Sequence, residues 1–148
     1  VVEETIADVS AETLVRVHQL YGAQSHLIDN GHARAWARTF TADGEFHSPT
    51  YPEPVVGIDA LTRFAEDFAR QDGITRHVIT NVFVVPVGPD ALTVHAYLQI
   101  VHTPAGGPSR LARQTTITDE LVRDSGTWRI RRRTVRRDDE NHHGTESS

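Results

Sequence analysis

Four ionisable side chains, Asp29, His77, His102 and Arg136, fall where the pattern around them favours apolar residues. Asp29 follows Tyr21 and Ser25 at helical spacing and shares the face of Val17 and Tyr21. In Arg76-His77-Val78-Ile79-Thr80-Asn81-Val82-Phe83, His77 has the strand parity of Ile79 and Phe83. His102 continues the apolar parity of Leu92, Val94, Ala96, Leu98 and Ile100, and Arg136 shares parity with Trp128 and Ile130 provided no bulge intervenes. A carboxylate and an imidazole in an apolar pocket suit general acid–base proton transfer, and a second imidazole or a guanidinium could stabilise the charge that develops.

Plainer roles compete with these. Asp29 beside Asn30-Gly31 could be a solvated helix end, and a lone histidine on an apolar face is more often a hydrogen-bonded structural residue. Arg129, Arg131, Arg133 and Arg137 are expected at solvated strand positions, their stems lying over apolar surface. His77, His102 and Asp29 would make a two-histidine, one-carboxylate metal set, but the chain lacks a close-spaced pair such as a helical i,i+4 motif, so no metal is expected.

The elements that must position these groups can be read from punctuation and period. Ser10 is a plausible N-cap for a helix carrying Leu14, Val17, Tyr21 and Ile28, which Gly31 ends. His32 to Phe40 reads as a second short helix, Glu45 to Ser48 as a short strand, and the three prolines of segment 48–54 as a loop lying over something. Ala60 to Gln71 is a third helix with Leu61, Phe64, Phe68 and Ala69 as its stripe. The period then changes to two, with strands at about 76–86, 91–104, 109–123 and 127–137 joined by short Gly-containing turns, an antiparallel meander. Three helices followed by a long sheet make an α+β fold, the helices packed on one face of a sheet that curls into a cone around a ligand cavity. Residues 1–137 are expected to form one domain, and 138–148, polar and without periodicity, a disordered tail.

Composition excludes several classes. The net charge of −5 argues against nucleic acid, because the one arginine-rich run alternates faces on a strand. No cysteine means no disulfide framework or thiol nucleophile. No apolar run reaches membrane-span length and the polar start is not a signal peptide, so the expected location is the cytoplasm.

At these residues the chain resembles the SnoaL-like branch of the nuclear transport factor 2-like superfamily, with its cystatin-like roll, and within it scytalone dehydratase and hexachlorocyclohexane dehydrochlorinase. The anchors are Leu20-Tyr21 leading to Asp29, Trp36 to Phe46, Arg76 to Asn81, and Trp128-Arg129-Ile130 closing with Val135-Arg136. The resemblance implies that Asp29 pairs with His77, which acts as base, that the dehydrochlorinase's pocket arginine falls on Arg136, and that the dehydratase's second histidine falls on His102. Near the dehydratase's water-holding tyrosines stand Ile28 and Ser48, and Tyr51 or Tyr97 is a candidate to take their place, although parity puts Tyr97 on the opposite face from His102.

The expected function is a cofactor-independent lyase or isomerase, of dehydratase or cyclase type, acting on a small hydrophobic, polyketide- or aromatic-derived molecule. The expected lining is Tyr21, Trp36, Phe46, Tyr51, Phe64, Phe68, Phe83 and Leu98. The alternative is a noncatalytic binding or assembly domain of the same fold. Relatives imply a homodimer or homotrimer formed through the outer sheet face, which carries Thr93, His95, Tyr97, Gln99 and Val101.

Overall fold

Residues 6–140 are described in a computed structural model. Helix α1 runs Ala11–Asp29. Its N-cap is Ser10, whose side chain accepts from the Thr13 N–H at 3.1 Å, and Asn30 and Gly31, the latter at φ +82°, end it as the sequence predicts. Helix α2, Ala33–Ala37, is shorter than expected because the chain turns at Arg38 and enters strand β1, Phe40–His47, earlier than its composition suggests. The proline segment leads to the two-residue strand β2, Val55–Val56, and helix α3 spans Ile58–Ala69.

Strands β3 (Ile74–Gly88), β4 (Ala91–Thr103), β5 (Arg110–Asp124) and β6 (Thr127–Arg137) form the expected meander. Strand β1 joins it parallel to β6, so the six-stranded sheet is mixed, in the order β2-β1-β6-β5-β4-β3. The three helices pack against one face of this curved sheet. Val17 and Ile28 of α1 and Leu61 and Ala65 of α3 meet Val94, Ala96, Leu98, Ile117 and Ile130 in one buried cluster. Asp138–Glu140 continue β6 in a helical turn, where irregular chain was expected. The rest of the expected tail, 141–148, lies outside the described residues.

Three bulges matter for the site because each inserts one residue and reverses the face of everything beyond it. One lies in β3 between Thr80 and Phe83, with Asn81 at φ +56°; one in β5 at Ala112; one in β6 near Arg131.

Gly73 turns the chain from α3 into β3 with φ +79°, and a Cβ there would collide with the Thr103 carbonyl oxygen and lie 2.9 Å from Pro104 Cα. Gly73→Ala therefore strains both backbone and packing at the entrance to the strand that carries His77. It is expected to lower stability by about 1–3 kcal/mol in urea unfolding.

Candidate active site

Asp29 closes α1 and His77 lies near the start of β3, and the packing of α1 on that strand brings the two together. The Asp29 carboxylate accepts from the His77 ring Nδ1 at 2.7 Å and from the His77 backbone N–H at 3.0 and 3.2 Å. Both side chains are largely withdrawn from water, 6% exposed for Asp29 and 10% for His77, so the solvated helix-end reading of Asp29 does not hold. A carboxylate so placed selects the tautomer with the hydrogen on Nδ1, in which, when the ring is neutral, Nε2 carries the lone pair. Phe68 packs against the imidazole in a T-shaped arrangement, ring centroids 5.2 Å apart at 72°.

His77 lines a cavity of about 40 Å³ that is partly open to solvent. Trp36, Phe46, Tyr51, Phe64 and Phe68 form its aromatic wall, and Ile79, Leu98, Ile100 and Val135 its sheet wall. Phe64 is the hub, within 5.8 Å of the ring centroids of Trp36, Phe46, Tyr51 and Phe68. The proline segment is the cover that its composition suggested: Ser48, Thr50 and Tyr51 reach the cavity from it.

Four expected site residues are placed elsewhere. Phe83 lies beyond the β3 bulge, on the outer face, stacked on His95 at 6.3 Å. Arg136 is exposed because the bulge near Arg131 turns it outward, onto a surface groove beside Pro49 and Glu140. His102 keeps the face of Ile100 but lies beyond the lining, its Nδ1 3.2 Å from Thr75 Oγ1. Among the described residues it therefore completes no metal-ligand triad with Asp29 and His77. Tyr21 is buried behind the cavity wall.

The same β6 bulge brings Arg133 and Arg137 inward, and Arg113 faces inward by its parity with Thr115, Ile117 and Leu121; all three line the cavity. Arg133 is held by a buried network that the sequence reading missed. Its Nε and one terminal nitrogen donate to the two Asp119 oxygens at 2.9 and 2.8 Å, the latter nitrogen also to Gln24 Oε1 at 2.6 Å, and Tyr21 Oη donates to Asp119 at 2.5 Å. Gln24 in turn donates to Thr39 Oγ1 at 2.8 Å. Burial opposes the charge on Arg133, but the Asp119 carboxylate overcomes it and holds the guanidinium above its usual proton affinity. Asp119 carried a legible signal, a carboxylate in the apolar parity of Ile117 and Leu121, whereas Arg133 carried none, since its facing depends on the bulge.

Burial, then the Asp119 charge, pushes the Tyr21 phenol well above its ordinary value. Above about pH 10 the unfolded state releases this proton while the folded state retains it, so stability falls as pH rises past that value. Alkaline ultraviolet titration is expected to show one fewer phenolate in the folded protein than in the urea-unfolded chain just above that pH.

A mixed sheet wrapped on three helices has the α+β architecture of the nuclear transport factor 2-like, cystatin-like fold. The sequence profile of the SnoaL-like domain matches residues 9–134, and the chain belongs to that family. Aln2 from a Streptomyces species is 27% identical, the match covering 95% of this chain and 99% of that one with a TM-score of 0.84. A Catenulispora acidiphila protein in complex with S-DNPA is 27% identical over 90% of this chain and 99% of its own, TM-score 0.79. An NTF2-like protein with a cystatin-like fold from Novosphingobium aromaticivorans, 20% identical over 86% and 83% of the two chains with TM-score 0.77, is similar in fold alone. Among curated proteins, none matches the chain. No helix among the described residues is long and apolar enough to cross a membrane.

Proposed function

We propose that this protein is a cofactor-independent lyase or isomerase, of dehydratase or cyclase type, in which His77 moves a proton to and from a carbon of a small hydrophobic substrate. The observation that carries the reading is the 2.7 Å contact between Asp29 and His77 Nδ1, on a ring that also lines an apolar cavity. Nε2 takes a proton from a carbon next to a carbonyl, and the C–H electron pair becomes the enolate. Asp29 stabilises the imidazolium formed. In a dehydration, the enolate expels a β-hydroxyl, which leaves as water with the proton returned by Nε2; in an isomerisation, that proton goes to another carbon. Arg133, fixed by Asp119 and Gln24, is the charged donor suited to the enolate oxygen.

The aromatic wall supports a flat, largely apolar ligand, and the Catenulispora relative in complex with S-DNPA supports ligand binding by this family. Val78 and Tyr97, exposed on neighbouring strands of the outer face, support assembly as a dimer or trimer. The test is a screen of hydroxy-ketones and polyketide-like aromatics, followed by NMR for carbon–deuterium exchange and water loss in deuterated buffer, with a His77 variant alongside. Exchange by the native chain that the variant lacks supports the reading. No exchange with any compound, or exchange that persists in the variant, counts against it.

A further inference from the structure

We propose that the substrate is an aromatic carboxylate whose acidic group is held by Arg113, with Arg137 as its neighbour; this deepens the proton-transfer reading and names the substrate class of the same cavity. Arg113 and Arg137 line the cavity together with Arg133, and among the described residues no aspartate or glutamate does. The three guanidiniums differ in how their charge is met. Arg133 has its counter-charge in Asp119, buried with it. Arg137 pairs with Asp139 at 2.9 Å, but the aspartate is 64% exposed and the pair is correspondingly weak. Arg113 makes no ion pair or side-chain hydrogen bond among the described residues, although it is half-buried.

The sheet puts these groups in a usable order. Thr115 pairs with Leu98 on one side and Arg137 on the other, so Arg113 and Arg137 are diagonal neighbours on the inner face, their Cβ atoms about 7 Å apart. Two like charges at that distance beside an apolar wall repel, and a planar oxyanion between them offsets the repulsion while accepting paired N–H donors. His77 pairs with Ile100, and Ile100 with Arg113, so the base and the free guanidinium stand two strands apart in one row, about 10 Å between Cα atoms. One or two fused rings span that separation, leaving a ring or side-chain carbon at the imidazole. Arg113 faces inward by unbroken parity with the buried Thr115, Ile117 and Leu121, and the bulge at Ala112 turns only Leu111, beyond it, outward.

The test is binding of 2-naphthoate and of its neutral isostere 2-naphthamide, by isothermal titration, to the native chain, to Arg113→Gln and to Arg76→Gln, an exposed charge on the other face. The native chain and Arg76→Gln are expected to prefer naphthoate by about tenfold. In Arg113→Gln the preference is expected to fall to about twofold or less, with naphthamide affinity unchanged. Equal affinity of the native chain for the two probes, failure to bind naphthoate, or a preference that survives in Arg113→Gln overturns the proposal. No turnover is measured, so this result is independent of the exchange experiment on His77.

Discussion

His77→Gln is expected to lower turnover by about 10²–10⁴-fold, the usual contribution of a positioned general base. Glutamine can still donate to the Asp29 carboxylate, so the clamp between α1 and β3 survives while the basic nitrogen is lost. The melting temperature should therefore move by only a few degrees, which separates a catalytic loss from a folding one. Asp29→Asn should give a smaller loss, since the base remains but its orientation and the stabilisation of its imidazolium are weakened. These rates are to be measured on a compound found by the exchange screen. Unchanged turnover in His77→Gln would show that His77 is not the base.

The largest effect on stability is expected from Asp119→Ala. Arg133 is 4% exposed and Asp119 fully buried, joined by two parallel hydrogen bonds, so removing the carboxylate strands a guanidinium away from water and also orphans the Tyr21 hydroxyl. Breaking a buried pair from one side costs about 3–5 kcal/mol, a large part of a typical folding free energy of about 5–15 kcal/mol. Urea unfolding should show a loss of that size and thermal unfolding a drop on the order of ten degrees. Asp119→Leu combined with Arg133→Met, which removes both charges, should recover much of the loss. A loss under about 1 kcal/mol in Asp119→Ala would show that water reaches Arg133.

These effects rest on features that the sequence revealed unevenly. Helices were legible where a cap or glycine marked them, as at Ser10 and Gly31, and strands where alternation ran unbroken, as from Leu92 to Ile100. Strand β1 was read short because Thr41-Ala42-Asp43-Gly44 has the composition of a turn, yet it lies within the strand, where a Cβ at Gly44 would come within 2.7 Å of the Phe40 Cβ and 3.2 Å of the Ile130 carbonyl oxygen. The Asp29 and His77 pairing was legible through the family resemblance, and both residues precede the bulge in β3. Phe83 and Arg136 were misplaced for one physical reason: period-two reasoning carries a face along a strand only until an extra residue intervenes, and nothing in Thr80-Asn81-Val82 or Arg131-Arg132 announces one. Arg133 was passed over for the same reason, whereas Arg113 has the unbroken parity of Ile117 and Leu121 and was legible like Asp119.

Strand β3 is the last of its sheet, so one side of its backbone has no neighbouring strand. The His77 N–H points that way, and the Asp29 carboxylate takes it. An end strand with open amides is a template on which another chain can add itself, and a negative charge seated on one of those amides blocks that addition. The aspartate that orients the imidazole thus also occupies one of the amides that an added strand would need.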